Sequence, residues 1–349
     1  MAADPSRAQA LCRQALEADS TNEMAQELLR DMEMPAKAEQ IPAETDMDAA
    51  LQALLDSEAE ISRPALSLAD VGGLADVKRR LSVSFLGPMR NPEMRQVYKK
   101  SLKGGLLLYG PPGCGKTFIA RALAGELGAS FFAVGLHDVL EMWLGKSEQN
   151  LHAIFESARR NAPCVLFLDE LDALGHKRSN LQHSAGRNVV VQLLHELDSS
   201  RDDNEGVFVL GATNQPWDVD PALRRPGRFD RVLPVMPPDN EARHAILAFH
   251  LKGRPVEDTD LAAISRATAG RSGADLNLIC ESAAELAMED SLNSGTVRPI
   301  RQSDLIRAVE NVRPSVGPWF QLARNYALYA NEGGLYDEVL VYMQHNDTR

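Results

Sequence analysis

The chain has 349 residues, 44% hydrophobic and 25% charged, which fits roughly two globular domains and excludes a fibrous or wholly disordered protein. Its net charge of -12 works against general binding to nucleic-acid phosphates, so no nucleic-acid partner is expected. The charge is uneven: residues 1–69 hold 14 acidic and 5 basic side chains, which leaves the rest of the chain near neutral.

Residues 1–34 carry apolar side chains at helical spacing (Ala8, Leu11, Ala15; Met24, Leu28), with a polar break at Asp19–Asn22. Residues 35–69 read as an acidic linker punctuated by Pro35, Pro42 and Pro64. Within it Met47, Leu51, Leu54 and Leu55 trace one short amphipathic helix. From Asp70 to Pro237 the texture changes. Apolar runs at 106–109, 131–134, 165–168 and 207–210 are separated by helical patterns, which predicts a parallel sheet covered on both faces. Residues 238–312 are helical throughout, and 313–349 form an aromatic-rich helical tail. No run reaches the ~18–20 apolar residues of a membrane-spanning helix. The N-terminus lacks the basic and apolar regions of a secretory leader. Cys12, Cys114, Cys164 and Cys280 lie far apart without metal-ligand spacing, as expected of free thiols in a reducing cytoplasm.

The run 106–109 leads straight into Gly110-Pro111-Pro112-Gly113-Cys114-Gly115-Lys116-Thr117 and then a helical pattern from Phe118. This is GxxxxGK[ST] in a strand–loop–helix context, the signature of a P-loop. Its glycines let backbone N–H groups turn inward onto phosphates, and the helix N-terminus adds a positive end. Lys116 is expected to reach the β- and γ-phosphates of ATP, and the Thr117 hydroxyl to bind Mg²⁺. The run 165–168 ends in Asp169-Glu170, 53 residues after Lys116, so both carboxylates emerge at the edge of a buried strand where open α/β sheets bind ligands. Asp169 fits the carboxylate that holds Mg²⁺, and Glu170 the base that orients the attacking water. The pair turns a phosphate-binding loop into an expected ATP hydrolase.

Over residues 68–312 the chain resembles the AAA clade of AAA+ ATPases, which includes katanin, spastin and valosin-containing protein. Asp70-Val71-Gly72-Gly73-Leu74 resembles the segment that passes beside the adenine in that clade. Gly211-Ala212-Thr213-Asn214 resembles sensor 1, which implies that Asn214 sits by the γ-phosphate. The stretch from Asp220 to Asp230 is similar to the second region of homology, which makes Arg225 and Arg228 the arginine fingers. Gly273-Ala274-Asp275 resembles the sensor-2 turn near the adenine, and His250 falls where the clade has a ribose-side histidine. The resemblance implies an α/β fold, a P-loop parallel sheet with a small helical lid domain, flanked by N- and C-terminal helical segments. It implies nucleotide contacts from Asp70, Gly72, Pro112, Gly113, Cys114, Gly115, Lys116, Thr117, Phe118, His250, Gly273 and Ala274. It also implies a homo-oligomer of about six subunits, because the fingers act on a neighbour's nucleotide.

Met142-Trp143-Leu144-Gly145 resembles the clade's first pore loop, whose aromatic grips an extended polypeptide without reading its sequence. Residues 175–187 correspond to the second. The expected function is therefore an ATP-driven motor that pulls protein substrates through a central pore, recruited by an adaptor through the N-terminal helices. The alternatives are an ATP-gated conformational regulator without threading and a nucleic-acid-associated AAA+ motor. At the ends, Trp319-Phe320-Gln321-Leu322-Ala323-Arg324-Asn325-Tyr326 fits the opening of a tetratricopeptide repeat, and residues 8–29 resemble a boundary between two repeats. Neither end supplies the ~3 repeats a solenoid needs.

Overall fold

Five apolar segments pair into one all-parallel sheet: β1 Gly105–Tyr109, β2 Ser130–Gly135, β3 Cys164–Asp169, β4 Val207–Thr213 and β5 Arg231–Pro234. In this computed structural model the strand order is β2-β3-β4-β1-β5. The structure describes residues 62–99, 105–136, 147–174, 184–198 and 204–345. The N-terminal helices, most of the linker, the Met142-Trp143-Leu144 loop and residues 175–183 lie outside those residues.

Four strands coincide with the four apolar runs, and β5 is an addition. Its four residues, Arg-Val-Leu-Pro, are too short and too mixed to stand out as a buried run. Pairing explains it: Val232 and Leu233 face Leu107 and Leu108 across the parallel ladder, while the Pro234 ring removes a donor where the strand ends. Along β1 the side chains alternate between two cores. Leu106 and Leu108 enter one with helices α1 (Ala75–Leu81) and α2 (Lys116–Leu127). Leu107 enters the other with α3 (Ser147–Arg160) and α4 (Ser184–Leu197).

A third core builds a separate helical layer from α5 (Asn240–Leu251), α6 (Leu261–Ala267), α7 (Gly273–Ser294) and α8 (Gln302–Asn311). α7 starts with a capping box in which Ser272 and Asp275 satisfy each other's backbone N–H groups, and that fixes where the helix begins. The guanidinium of Arg271 donates to the carbonyls of Val309 and Val312, tying α8 back to this turn.

The C-terminal tail forms α9 (Gly317–Tyr329) and α10 (Asp337–His345). Its apolar face enters the sheet's own core through Trp319, Phe320, Ala323 and Val339. Tyr109, at the end of β1, donates its hydroxyl to the Leu335 carbonyl at 2.6 Å and meets the Tyr336 ring edge-on. The described end of the linker is docked as well. Ser62 exchanges two backbone hydrogen bonds with Phe131, and Leu68 is buried.

Candidate active site

The C-terminal ends of β1, β4 and β3 lie side by side, and every residue expected at the phosphates follows one of them. The loop 110–115 leaves β1 with Gly110, Gly113 and Gly115 all at positive φ. Gly113 has a further reason to be glycine: a Cβ there would stand 2.8 Å from the Ala274 Cβ and 3.0 Å from the Ser272 Oγ. The Ala274 N–H also donates to the Gly113 carbonyl at 3.0 Å. The loop and the start of α7 therefore touch backbone to backbone.

Lys116, the first residue of α2, is only 7% exposed. Its ammonium donates to the carbonyls of Gly110 and Pro111, both at 2.9 Å, and to the Asn214 Oδ1 at 2.7 Å. None of these acceptors is anionic, and burial pushes the amine down to about 8. A buried ammonium offered only neutral acceptors fits a phosphate that would restore its charge. Thr117 points its hydroxyl at the Asp169 Oδ2, 3.4 Å away. Among the described residues no group of three or more His, Cys, Asp or Glu could hold a metal ion by itself. One hydroxyl and one carboxylate are what a Mg²⁺ shared with substrate phosphates asks of the protein.

Glu170 is solvent-exposed and has a φ of 57°, in the left-handed region. A non-glycine residue there stores about 1–3 kcal/mol of backbone strain, a pattern concentrated at functional sites. Its N–H donates to the Asp169 Oδ1, so the neighbouring carboxylate holds the turn. Asn214 follows β4 directly, between the P-loop and the Asp169 strand. Next to it the Thr213 hydroxyl donates to Asp172 at 2.6 Å.

A cavity of about 290 Å³ opens beside the loop, between the sheet layer and the helical layer. Asp70, Gly72, Gly113, Cys114, Gly115, Phe118, His250, Gly273 and Ala274 all line it. Pro112 does not; it stands on the exposed crest of the loop. Gly72 is required by proximity, since a Cβ would lie 2.9 Å from the Ala242 carbonyl of α5. Ser67 N–H and Oγ–H both donate to Asp70 and lower its pKa. Burial lowers His250 from its ordinary value, with Arg254 adding to the effect, so the ring is neutral at neutral pH. Burial pushes the Cys114 thiol up to about 12, so it acts as a small packing group and not as a nucleophile. Sequence reasoning missed the apolar wall of Met236, Ile246 and Phe249, with the polar Asn277 beside it. Part of it had a signal, because Ile246, Phe249 and His250 share one helical face at i, i+3 and i+4.

The two expected fingers sit elsewhere. The Gly105 N–H, at the start of β1, donates to the Arg228 carbonyl at 2.7 Å. Five strand residues, about 15 Å at ~3.3 Å each, separate that point from the loop that leaves the other end of β1. The Arg228 guanidinium donates to the Ala222 carbonyl at 3.0 Å, and Arg225 is exposed. Neither arginine is grouped with the chain's own Lys116.

Comparison with known proteins bears on the fold and the family. Residues 106–236 match the ATPase family associated with various cellular activities (AAA), and residues 258–305 match the AAA+ lid domain. The chain belongs to the AAA ATPases. It is 38% identical over 274 residues to Protein SAV from Sulfolobus acidocaldarius, a match covering 74% of this chain and 35% of that protein. The chain thus spans about a third of the length of that relative. The crystal structure of the FIGL-1 AAA domain superposes with a TM-score of 0.67 at 29% identity, covering 85% of this chain and 95% of that one. As an AAA ATPase the protein binds nucleotide. Among the described residues no helix is long and apolar enough to cross a membrane.

Proposed function

We propose that the chain is one subunit of a ring-forming, Mg²⁺-dependent ATPase that remodels proteins by pulling polypeptide through a central pore. In this reading adenosine fills the cavity between Gly72, Phe118, His250 and Ala274, while loop 110–115 and Lys116 hold the phosphates. Thr117 and Asp169 would hold Mg²⁺, which neutralises phosphate charge. Glu170, exposed and turned outward by its backbone, orients the attacking water, and Asn214 fixes the γ-phosphate side.

The observation that carries the reading is the separation of Arg225 and Arg228 from the P-loop by the length of β1. A guanidinium opposite the γ-phosphate is worth roughly 10³–10⁵ in rate, and these arginines can supply it only to a neighbouring subunit. A ring of about six such subunits, in a cytoplasmic setting, completes every site. The Met142-Trp143-Leu144 loop would then grip the substrate, and the acidic N-terminal region would recruit it through an adaptor.

Two variants test this together. Glu170→Gln is expected to retain ATP binding, abolish turnover and accumulate as a stable oligomer carrying trapped protein. Trp143→Ala is expected to keep basal hydrolysis but lose remodelling of the proteins so trapped. Full remodelling by Trp143→Ala would overturn threading, and ordinary turnover by Glu170→Gln would remove that residue from its role.

A further inference from the structure

The tail helix α9 is hydrogen-bonded to the catalytic edge of the sheet. The Trp319 indole N–H donates to the backbone carbonyl of Asn214 at 2.5 Å. Asn214 lies just past the last ladder residue of β4, Thr213, and the Trp319 bond holds its carbonyl there. Its side chain, meanwhile, accepts from Lys116 at 2.7 Å. Trp319 is only 7% exposed, so its N–H must find an acceptor within the fold, and this is the one it has.

The contact is braced on both sides. Trp217, three residues past Asn214, packs near Trp319 with ring centroids 6.0 Å apart. It also stacks on Tyr326 of the same helix at 4.7 Å with an interplanar angle of 2°. Four residues before Trp319, the Ser315 N–H and hydroxyl both donate to the Asp275 carboxylate at 3.1 Å. That carboxylate also accepts from the Ser272 N–H at 2.9 Å, at the turn that delivers Gly273 and Ala274 to the cavity wall. One short segment, 315–319, is thus hydrogen-bonded to the base side of the cavity at one end and to Asn214 at the other.

We propose that Trp319 is a positioning residue for ATP hydrolysis: its indole N–H fixes the backbone of Asn214, and segment 315–319 links that residue to the lid turn at the base side of the cavity. The inference rests on the role given to Asn214 above. A bound nucleotide that moves the lid turn pulls on Asp275, and the pull reaches Asn214 through Ser315 and Trp319 without passing through the P-loop.

The test is a double-mutant cycle in the full chain, with Trp319→Phe, Asn214→Ala and the pair. Phenylalanine keeps an aromatic ring between Trp217 and Phe320 while deleting the donor together with part of the buried ring volume. The expected result is a kcat about five- to tenfold lower, the scale of one lost hydrogen bond, with ATP affinity unchanged and a fall in melting temperature no larger than the smaller buried ring accounts for. In the Asn214→Ala background the same substitution should have no further effect. Equal losses of kcat in both backgrounds, or a loss confined to KM, would overturn the proposal. If Asn214→Ala itself turns over normally, it is the reading of Asn214 that fails instead. A second measurement needs no substitution in the assayed protein. With 5-fluorotryptophan incorporated, the Trp319 fluorine resonance should differ between ADP and a non-hydrolysable ATP analogue, and identical resonances would contradict the link.

Discussion

At the scale of single residues, the site is shaped by how closely backbones approach. A Cβ on Gly113 would stand 2.8 Å from the Ala274 Cβ across the cavity mouth, closer than Cβ atoms approach, and tight at 3.0 Å against the Ser272 Oγ, with φ at 72°. Gly113→Ala is therefore expected to hold the lid turn away from the loop and weaken ATP binding at least tenfold, as read by fluorescent-nucleotide titration. Unchanged affinity would show that the lid contact does not form the binding site. The glycines, Lys116, Thr117, Asp169 and Glu170 were legible in the sequence because they fall in fixed spacings after buried runs. Trp319 was legible only as part of a repeat-like pattern. Its bond to Asn214 spans 105 residues, and no local periodicity encodes such a contact.

Elements show the same tension between local preference and packing. Gly125 sits inside α2, where alanine is favoured by ~1 kcal/mol on helix propensity alone. Its missing side chain makes room for the strap before Asp70: a Cβ would lie 1.9 Å from the Leu66 carbonyl and 2.6 Å from that of Pro64. Gly125→Ala should thus destabilise the fold by about 1–3 kcal/mol in urea unfolding, against its propensity. A stabilised variant would mean the strap is not held there. Between α3 and α4 the fully buried Glu196 accepts from His152 at 2.7 Å, Arg159 at 2.5 Å and Gln192 at 2.8 Å. Burial raises its pKa, but the His152 and Arg159 bonds outweigh that, and the net shift is downward. A lowered carboxyl pKa contributes stability that is present above the ordinary carboxylate range and lost as pH falls through the lowered value. Glu196→Gln should cost about 3 kcal/mol at neutral pH and flatten the acid limb of the stability profile. An unchanged acid limb would assign that limb to other carboxylates. The four long strands were readable because each contains an unbroken apolar run. β5 was not, because its identity as a strand comes from its partner β1 and not from its own four residues.

For the whole molecule, most of the excess negative charge belongs to residues 1–69, while the ATPase layers and tail are close to neutral. The net charge therefore speaks to recruitment and solubility more than to catalysis. The ATPase itself is divided: loop 110–115, Lys116, Asp169 and Glu170 gather at the C-terminal edge of the sheet, and both arginines lie toward the opposite end. In the proposed ring, a site completed in this way would make activity a property of neighbours. The most direct measurement mixes two inactive variants, Glu170→Gln and the double variant Arg225→Ala/Arg228→Ala, and follows phosphate release. Glu170→Gln subunits still carry both arginines, and the double variant still carries Glu170. The expected result is that neither turns over ATP alone and that the mixture does. A mixture as inactive as its components, or an arginine variant as active alone as the unsubstituted chain, would contradict it.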